Sequence, residues 1–304
     1  MSEDRTTLPS SIRLRRLFTG SLVSLIDYCC RSPAESCGGE ELATSHQVIF
    51  TRRGVYIKQT GRRHVVVEPT QVVFYNRNET YRIIHPVSGG DEGTVVAVQP
   101  DFLFEILTGF DPSTSKRELA PFAVGHAPVD PAVLLAYRRL HRASNASCLE
   151  TLCIEDAAVS LLETVICSAY RSRGLSATYS RKGTAKTRRD LAEATRLVLA
   201  SKPGADHSLE AIGRAVNASP FHLSRVFRSE IGLPIHQYLL RLRLALALDR
   251  LADGYENLST LALELGFSNH SHFSTAFRQL FGISPSKFRD AFPRIGEIEI
   301  LARM

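Results

Sequence analysis

His222-Leu-Ser-Arg-Val-Phe-Arg-Ser-Glu-Ile-Gly232 returns fifty residues later as His272-Phe-Ser-Thr-Ala-Phe-Arg-Gln-Leu-Phe-Gly282, with His, Ser, Phe, Arg and Gly in the same places. Upstream, Asn217-Ala-Ser219 matches Gly266-Phe-Ser268 at a spacing of 49, so the second copy holds one extra residue. Both copies follow one physical grammar. A short helix (Leu209–Val216, then Leu258–Leu265) stops at a residue that tolerates positive φ, Asn217 or Gly266. A Ser then caps the next helix, and in the first copy Pro220 takes the favoured first helical position. Gly232 and Gly282 close the second helices. Two helices joined by a tight turn, the second polar on one face, describe a helix-turn-helix.

The faces of the second helices carry the chemistry. Leu223, Val226 and Phe227 form the buried stripe of the first, and Phe273, Ala276 and Phe277 that of the second. Opposite them stand Phe221, Ser224, Arg225 and Arg228, then Asn269, His270, Ser271, Ser274, Thr275 and Arg278. Neither face holds an acid before Glu230. Short hydrogen-bonding groups and Arg, with acids excluded, suit base edges and phosphates, whereas an ordinary solvated face mixes signs. Tyr238–Leu251, between the units, is apolar on two sides, through Leu240, Leu244, Leu248 and Leu251 and through Leu239, Leu242 and Leu246. A helix buried on two sides fixes the separation of the units, so both reading helices are expected in successive major grooves about 34 Å apart.

Charge follows the same division. Residues 182–294 hold 16 Lys and Arg against 10 Asp and Glu, which accounts for the whole net charge of +6, while residues 1–181 hold 20 against 19. That asymmetry points to a polyanion partner for the C-terminal third. At roughly 150 residues per domain, 304 residues predict two domains. A composition of 44% hydrophobic and 22% charged residues argues against disorder, collagen-like repeats and a membrane bundle. The start lacks a basic leader, and no segment reaches the ~18 apolar residues of a spanning helix, so the expectation is a cytoplasmic protein without membrane attachment.

From about His46 to Leu107 the period is two, in runs such as His46-Gln-Val-Ile-Phe-Thr, Gly54-Val-Tyr-Ile-Lys-Gln, Gln71-Val-Val-Phe-Tyr-Asn and Gly93-Thr-Val-Val-Ala-Val-Gln. Short strands bounded by Gly, Pro or Asn predict an antiparallel sandwich or small barrel. The period changes at Pro131. One helix carries Val133, Leu134, Tyr137, Leu140 and His141, and a second, about Thr151–Ser172, carries Ile154, Ala158, Leu161, Leu162, Val165 and Ala169 on one face. That stripe suits either a second copy of the chain or the sheet domain itself. Gly174–Thr187 reads as an exposed linker, and everything from Arg188 to about Pro293 reads as helix.

Six cysteines form no Cys-x-x-Cys, and none has a histidine at zinc-finger spacing. Cys153 and Cys167 fall in a helical pattern and are expected to be small buried hydrophobes. Cys29, Cys30 and Cys37 admit a redox role, with no thiolate-stabilising neighbour in sequence to support one. His46, His64 and His85 are scattered singly and read as structural histidines. The His270/His272 pair sits at i, i+2 on a helix, where the two side chains point apart. No metal site and no cofactor is expected, and nucleophile elbow, phosphate loop, dinucleotide fingerprint and His-Glu-x-x-His are all absent, so no enzyme class gains support.

Residues 188–293 resemble the AraC/XylS class of bacterial transcription regulators. The resemblance rests on Ala262-Leu-Glu-Leu-Gly-Phe-Ser268, Ser271-His-Phe-Ser-Thr-Ala-Phe-Arg278 and Phe281-Gly-Ile-Ser-Pro-Ser-Lys-Phe-Arg289. It implies base-reading positions at Phe221, Ser224 and Arg225 in the first unit and at His270, Ser271 and Thr275 in the second. Thr275 stands where that class commonly has Arg. The run His64–Pro86 is similar to cupin-type sensor domains, which implies a small effector inside a barrel and helices after it that pair two subunits. The expected fold is therefore α+β and multidomain. It joins a cupin-like antiparallel β-barrel (1–127), a helical dimerisation segment (128–174), a linker (175–187) and an all-α DNA-binding domain (188–293) with helix-turn-helix units at 208–231 and 257–281. The expected protein is a homodimeric regulator of transcription that binds double-stranded DNA, answers an unidentified small-molecule effector, and touches RNA polymerase if it activates. A metal-dependent cupin enzyme with an accessory DNA-binding module is the alternative, and it lacks the His-x-His ligand set in the barrel.

Overall fold

Alternating Val, Ile, Tyr and Phe between His46 and Val98 build strands because β-branched and aromatic side chains pack well on a pleated surface. The computed structural model describes residues 12–33, 36–146, 150–175 and 182–291. Its strands are β1 (Ile12–Thr19), β2 (Val23–Cys30), β3 (Ser36–Cys37), β4 (Glu41–Leu42), β5 (His46–Arg53), β6 (Tyr56–Thr60), β7 (Arg63–Val67), β8 (Gln71–Tyr75), β9 (Thr80–His85), β10 (Asp91–Val98) and β11 (His126–Pro128). They form two antiparallel sheets, one ordered β1-β2-β10-β5-β8-β11 and the other β3-β9-β6-β7, with β4 also on β9. Among the described residues no ladder joins the two sheets, so the expected closed barrel is seen as a pair of facing sheets.

Strand structure starts earlier in the chain than the period-two reading implies. β1 is mostly exposed and carries three Arg, and β2 places Asp27 in a buried slot, so neither shows an apolar alternation. It also ends earlier. Residues expected to stay extended as far as Leu107 form helix α1 (Pro100–Phe110), begun by Pro100 and buried through Leu103, Ile106 and Leu107.

The buried apolar residues of the sheets divide between two cores. Ile49, Tyr56, Val65, Val67, Val73 and Tyr75 fill the space between the sheets. Val48, Phe50, Val72, Phe74, Val96 and Val98 point the other way, under α1 and under the helices α2 (Pro131–Ala146) and α3 (Thr151–Leu175). The α3 stripe of Ile154, Ala158, Leu161, Leu162, Val165 and Ala169 lies in this second core, each residue at most 5% exposed. That surface is therefore buried within one chain, and the observation that motivated a dimer is accounted for by intrachain packing. Cys153 is exposed on α3 and Cys167 half-buried, contrary to the expectation of buried positions, because both lie off the stripe. Cys148 lies outside the described residues.

The C-terminal helices are α4 (Lys182–Ser201), α5 (Leu209–Ala215), α6 (Pro220–Ile231), α7 (Ile235–Ala252), α8 (Leu258–Glu264), α9 (His270–Phe281) and α10 (Pro285–Asp290). α4 begins inside the stretch read as linker, so residues 182–187 are helical, and 176–181 lie outside the described residues. The core beneath the first sheet continues without a break through Leu244, Ala247, Leu248 and Leu251 of α7 into Phe273, Phe277 and Phe288. α7 is thus buried on a third side, against β5 and α2, beyond the two sides its sequence pattern shows.

Candidate nucleic-acid interface

Local chemistry sets the two helix-turn-helix units. Ser208 caps α5 by accepting from the Ala211 amide, and Asn257 caps α8 by accepting from Thr260. The turns run through Asn217 at φ +53° and Gly266 at φ +79°. Ser219 caps α6, and Pro220 follows it. In the second unit the cap is Asn269 rather than the expected Ser268, because the extra residue of that copy lengthens the turn. Its side chain accepts from the His272 amide at 2.8 Å. Gly232 and Gly282, both left-handed, end α6 and α9.

The stripes Leu223, Val226, Phe227 and Phe273, Ala276, Phe277 are all buried. Opposite them, Phe221, Ser224, Arg225 and Arg228 are exposed on α6, as are Asn269, His270, Ser271, Thr275 and Arg278 at α9. Ser274 is half-buried and paired with His270 at 3.2 Å, while His272 turns away to Ser268 at 3.2 Å. Phe221 keeps 78% of its surface open, an apolar contact of the size a thymine methyl accepts. The acids nearest these faces are neutralised. Glu230 pairs with Arg188 at 2.9 Å, and Glu264 pairs with Arg250 and accepts from Tyr255.

Arg243, on α7, is a residue that the repeat does not reveal. Its guanidinium donates to the Pro203 carbonyl at 2.8 Å, to Ala205 at 2.9 Å and to Gly266 at 2.7 Å. One side chain therefore ties the loop before the first unit to the turn of the second, and burial pushes its pKa down. A Cβ at Gly266 would fall 2.6 Å from that guanidinium, so this turn needs glycine for space as well as for φ.

Two polar clusters hold this half of the chain to the sheets, and neither is visible as a motif. Asp249 of α7 meets Arg138 of α2 at 3.0 Å and also Arg53 of β5, whose guanidinium reaches Asp253. Arg52 spans from Asp249 at 3.9 Å to Asp27 at 2.7 Å, and Asp27 also takes His141 at 2.9 Å. Burial opposes ionisation of Asp27, but the bonds and charges of His141, Arg52 and Thr94 outweigh it and hold the carboxyl far below its ordinary range. Across the interface, Glu193 of α4 accepts from the Val66 amide at 2.6 Å and Arg196 reaches Glu68. Tyr56 and Tyr75 pack in the intersheet core, and Arg82 is exposed.

Residues 212–291 match the helix-turn-helix domain family. The chain is 45% identical over 64 residues to the probable transcriptional regulator LumQ of Photobacterium leiognathi, covering 21% of this chain and 26% of that protein. It is 37% identical over 89 residues to the transcriptional activator RhaS of Escherichia fergusonii, covering 28% and 32%. The matches therefore span about a quarter to a third of the length of these curated relatives. Among solved structures, an AraC-type DNA-binding-domain regulator from Chromobacterium violaceum aligns at 31% identity over 35% of this chain and 94% of that chain, with a TM-score of 0.32. Apo ToxT from Vibrio cholerae aligns over 91% of this chain and 100% of that chain at 11% identity and a TM-score of 0.40. Among the described residues no helix is long and apolar enough to cross a membrane.

Proposed function

We propose that this chain, whose residues 212–291 form a helix-turn-helix domain of the AraC type, is a sequence-specific DNA-binding regulator of transcription. The observation that carries the reading is the pair of exposed, acid-free faces on α6 and α9, mounted on one rigid helix. Phe221, Ser224 and Arg225 read base edges in one major groove, and His270, Ser271 and Thr275 read the next. Arg228 and Arg278, one turn further along each helix, hold phosphates. The cap role of Asn269 occupies its side-chain oxygen, so the amide NH₂ is the part left for DNA.

In this reading residues 12–127 form a cupin-like sensor, 128–175 brace it, and 188–291 bind DNA. Two facing antiparallel sheets with a tyrosine-lined interior support the cupin-like assignment. A single chain presents both reading helices, so DNA recognition at this site needs no second copy. In this reading the effector occupies a cleft of about 220 Å³ between Arg53, Gly54 and Pro69 on the sheet side and Leu242, Leu246 and Arg250 of α7. That volume falls below the 300 Å³ where drug-sized pockets begin, which points to a small ligand. The relative RhaS is named a transcriptional activator; if this chain activates as well, RNA polymerase is its further partner.

Selection of the full-length chain against a pool of random duplexes tests the reading. The expected product is a bipartite site whose halves lie about 10 base pairs apart, one per helix-turn-helix. Uniform affinity across the pool, or one isolated half-site, would overturn it.

A further inference from the structure

The interior of the sheet domain brings together three donors that lie far apart in sequence. Cys30 ends β2, His85 ends β9 and Asp91 begins β10. Asp91 and Cys30 are register partners on neighbouring strands, and His85 Nε2 lies 2.6 Å from Asp91 Oδ1. The Sγ, imidazole nitrogen and carboxylate oxygen all fall within 4.8 Å of one another, and the three residues are 7%, 5% and 5% exposed.

The backbone is shaped for this meeting. Gly90, at φ +76°, passes so near β2 that a Cβ would sit 1.9 Å from the Cys30 carbonyl oxygen. Gly54, at φ +84°, does the same from the other side, with a Cβ only 2.3 Å from the Gly90 oxygen. Two glycines thus let the β9–β10 turn pass close to the Cys30 backbone and to Asp91.

The charge balance at this point differs from the rest of the protein. Among the described residues the other buried acids each have a guanidinium: Asp27 has Arg52, Glu68 and Glu193 share Arg196, and Asp249 has Arg138. Asp91 has His85 as its ion-pair partner and no Arg or Lys. A buried carboxylate beside a thiol and an imidazole is costly unless a positive charge joins it.

We propose that Cys30, His85 and Asp91 form a binding site for a divalent transition-metal ion of the zinc class. Thiolate, imidazole and carboxylate together are the donor types that such ions take, and three protein donors leave a fourth tetrahedral position open. Donors at ~2.0–2.3 Å from the ion stand about 3.3–3.7 Å apart in a tetrahedron. The His85–Asp91 pair therefore opens from 2.6 Å by about 0.7 Å or more as the ion replaces the proton between them. The thiol proton also leaves, so uptake releases protons and strengthens as pH rises. The assignment stands independently of DNA binding.

Cobalt(II) titration of the full-length chain, stripped of metal by a chelator, tests this. One cobalt per chain is expected, with a near-ultraviolet thiolate-to-cobalt charge-transfer band that zinc abolishes. Cys30→Ser removes the band, His85→Gln weakens uptake tenfold or more, and Cys153→Ser, on the exposed face of α3, leaves both unchanged. X-ray absorption of the wild-type zinc form needs no variant and is expected to show one sulfur with nitrogen and oxygen neighbours. No charge-transfer band in the wild-type chain, a band that survives Cys30→Ser, or a zinc shell with no sulfur or several sulfurs would overturn the site.

Discussion

Arg196 of α4 donates to Glu68, between β7 and β8, at 3.0 Å, with the two side chains only 1% and 0% exposed. The pair is 128 positions apart in sequence and joins the DNA-binding half to the sheets. Glu68 also accepts from Tyr238 of α7 at 2.8 Å and from both the amide and the hydroxyl of Thr70 at 2.7 Å. A carboxylate so satisfied is fixed in place, and removing it takes one of two carboxylates from a buried guanidinium and leaves the Tyr238 hydroxyl and the Thr70 amide without their acceptor. Glu68→Ala is expected to cost about 3–5 kcal/mol of unfolding free energy, against about 1 kcal/mol for Tyr238→Phe, which deletes one hydrogen-bonding hydroxyl. Urea unfolding measures both. A loss under about 1 kcal/mol in Glu68→Ala would show that the cluster is hydrated in solution.

The second cluster separates burial from proximity. Arg138 and Arg53 both approach Asp249, yet the Arg138 side chain is 2% exposed and that of Arg53 is 40%. Screening by water leaves an exposed pair worth about 0–1 kcal/mol, whereas breaking a buried one costs about 3–5 kcal/mol. Arg138→Ala is therefore expected to lower the urea midpoint markedly and Arg53→Ala slightly. Equal losses would mean that the interface opens enough to wet both.

How much of this molecule is legible in its sequence follows the range over which each residue acts. Asn217, Ser219, Pro220, Gly232, Gly266 and Gly282 shape backbone within a few residues of themselves, so the helix-turn-helix units read directly from their order. The buried stripes of α6 and α9 read equally well, because a 3.6-residue period is local. Arg243, Asp249 and Arg196 act across 23 to 128 residues. In sequence they look like the polar side of a helix; the packing of α4 and α7 on the sheets places Arg196 and Asp249 inside, and the loops around residues 203–205 and 266 close on Arg243. The same holds for Cys30, His85 and Asp91, whose meeting depends on strand order and leaves no spacing motif. Asp27 hid β2 by putting a charge into an apolar slot, and the α3 stripe admitted two partners that periodicity treats alike.

The two turns make different demands. Gly266 has φ +79° and a Cβ there would meet the Arg243 guanidinium, while Asn217 has φ +53° in a turn that an L residue already occupies. Gly266→Ala is expected to cost at least the ~1–2 kcal/mol of a left-handed non-glycine residue, with the clash added. Asn217→Gly is expected to change stability by less than about 1 kcal/mol. Thermal unfolding of the two variants checks this, and a neutral Gly266→Ala would show that Arg243 does not hold the turn.

Acid should weaken the fold in two stages. Burial, and then the charge of Arg77, pushes the pKa of His46 down. Burial does the same to His141, where Arg138 and Arg52 add to it and Asp27 opposes it. Both imidazoles thus take up protons more readily in the unfolded chain, at about pH 6.5, than in the folded one. The unfolded state binds more protons in that window, so stability falls as pH drops below about 6.5. The depressed carboxyl of Asp27 contributes stability that is present above about pH 3.9 and is lost as pH falls further. Urea midpoints measured from about pH 8 to pH 4 are expected to stay level, then decline from about pH 6.5. His46→Gln should flatten part of the first decline, and a midpoint constant down to about pH 5 would contradict the assignment.

Arg225 offers the sharpest test of the reading faces. It is exposed at the middle of α6, one helical turn from Phe221 and adjacent to Ser224, with Val226 and Phe227 buried behind it. A guanidinium in that place can bond two acceptors on one guanine edge, the commonest specific contact in a major groove. Arg225→Ala is expected to weaken binding to the selected duplex by about 1–3 kcal/mol and to relax preference at one base position, with random duplex little affected. Arg228→Ala, as a phosphate contact, is expected to weaken both duplexes alike and to reduce the salt dependence of binding by about one ion. Fluorescence anisotropy with specific and random duplexes at several salt concentrations distinguishes the two. If Arg225→Ala lowers both affinities equally, its contact is to the backbone, and base reading by α6 passes to Phe221 and Ser224.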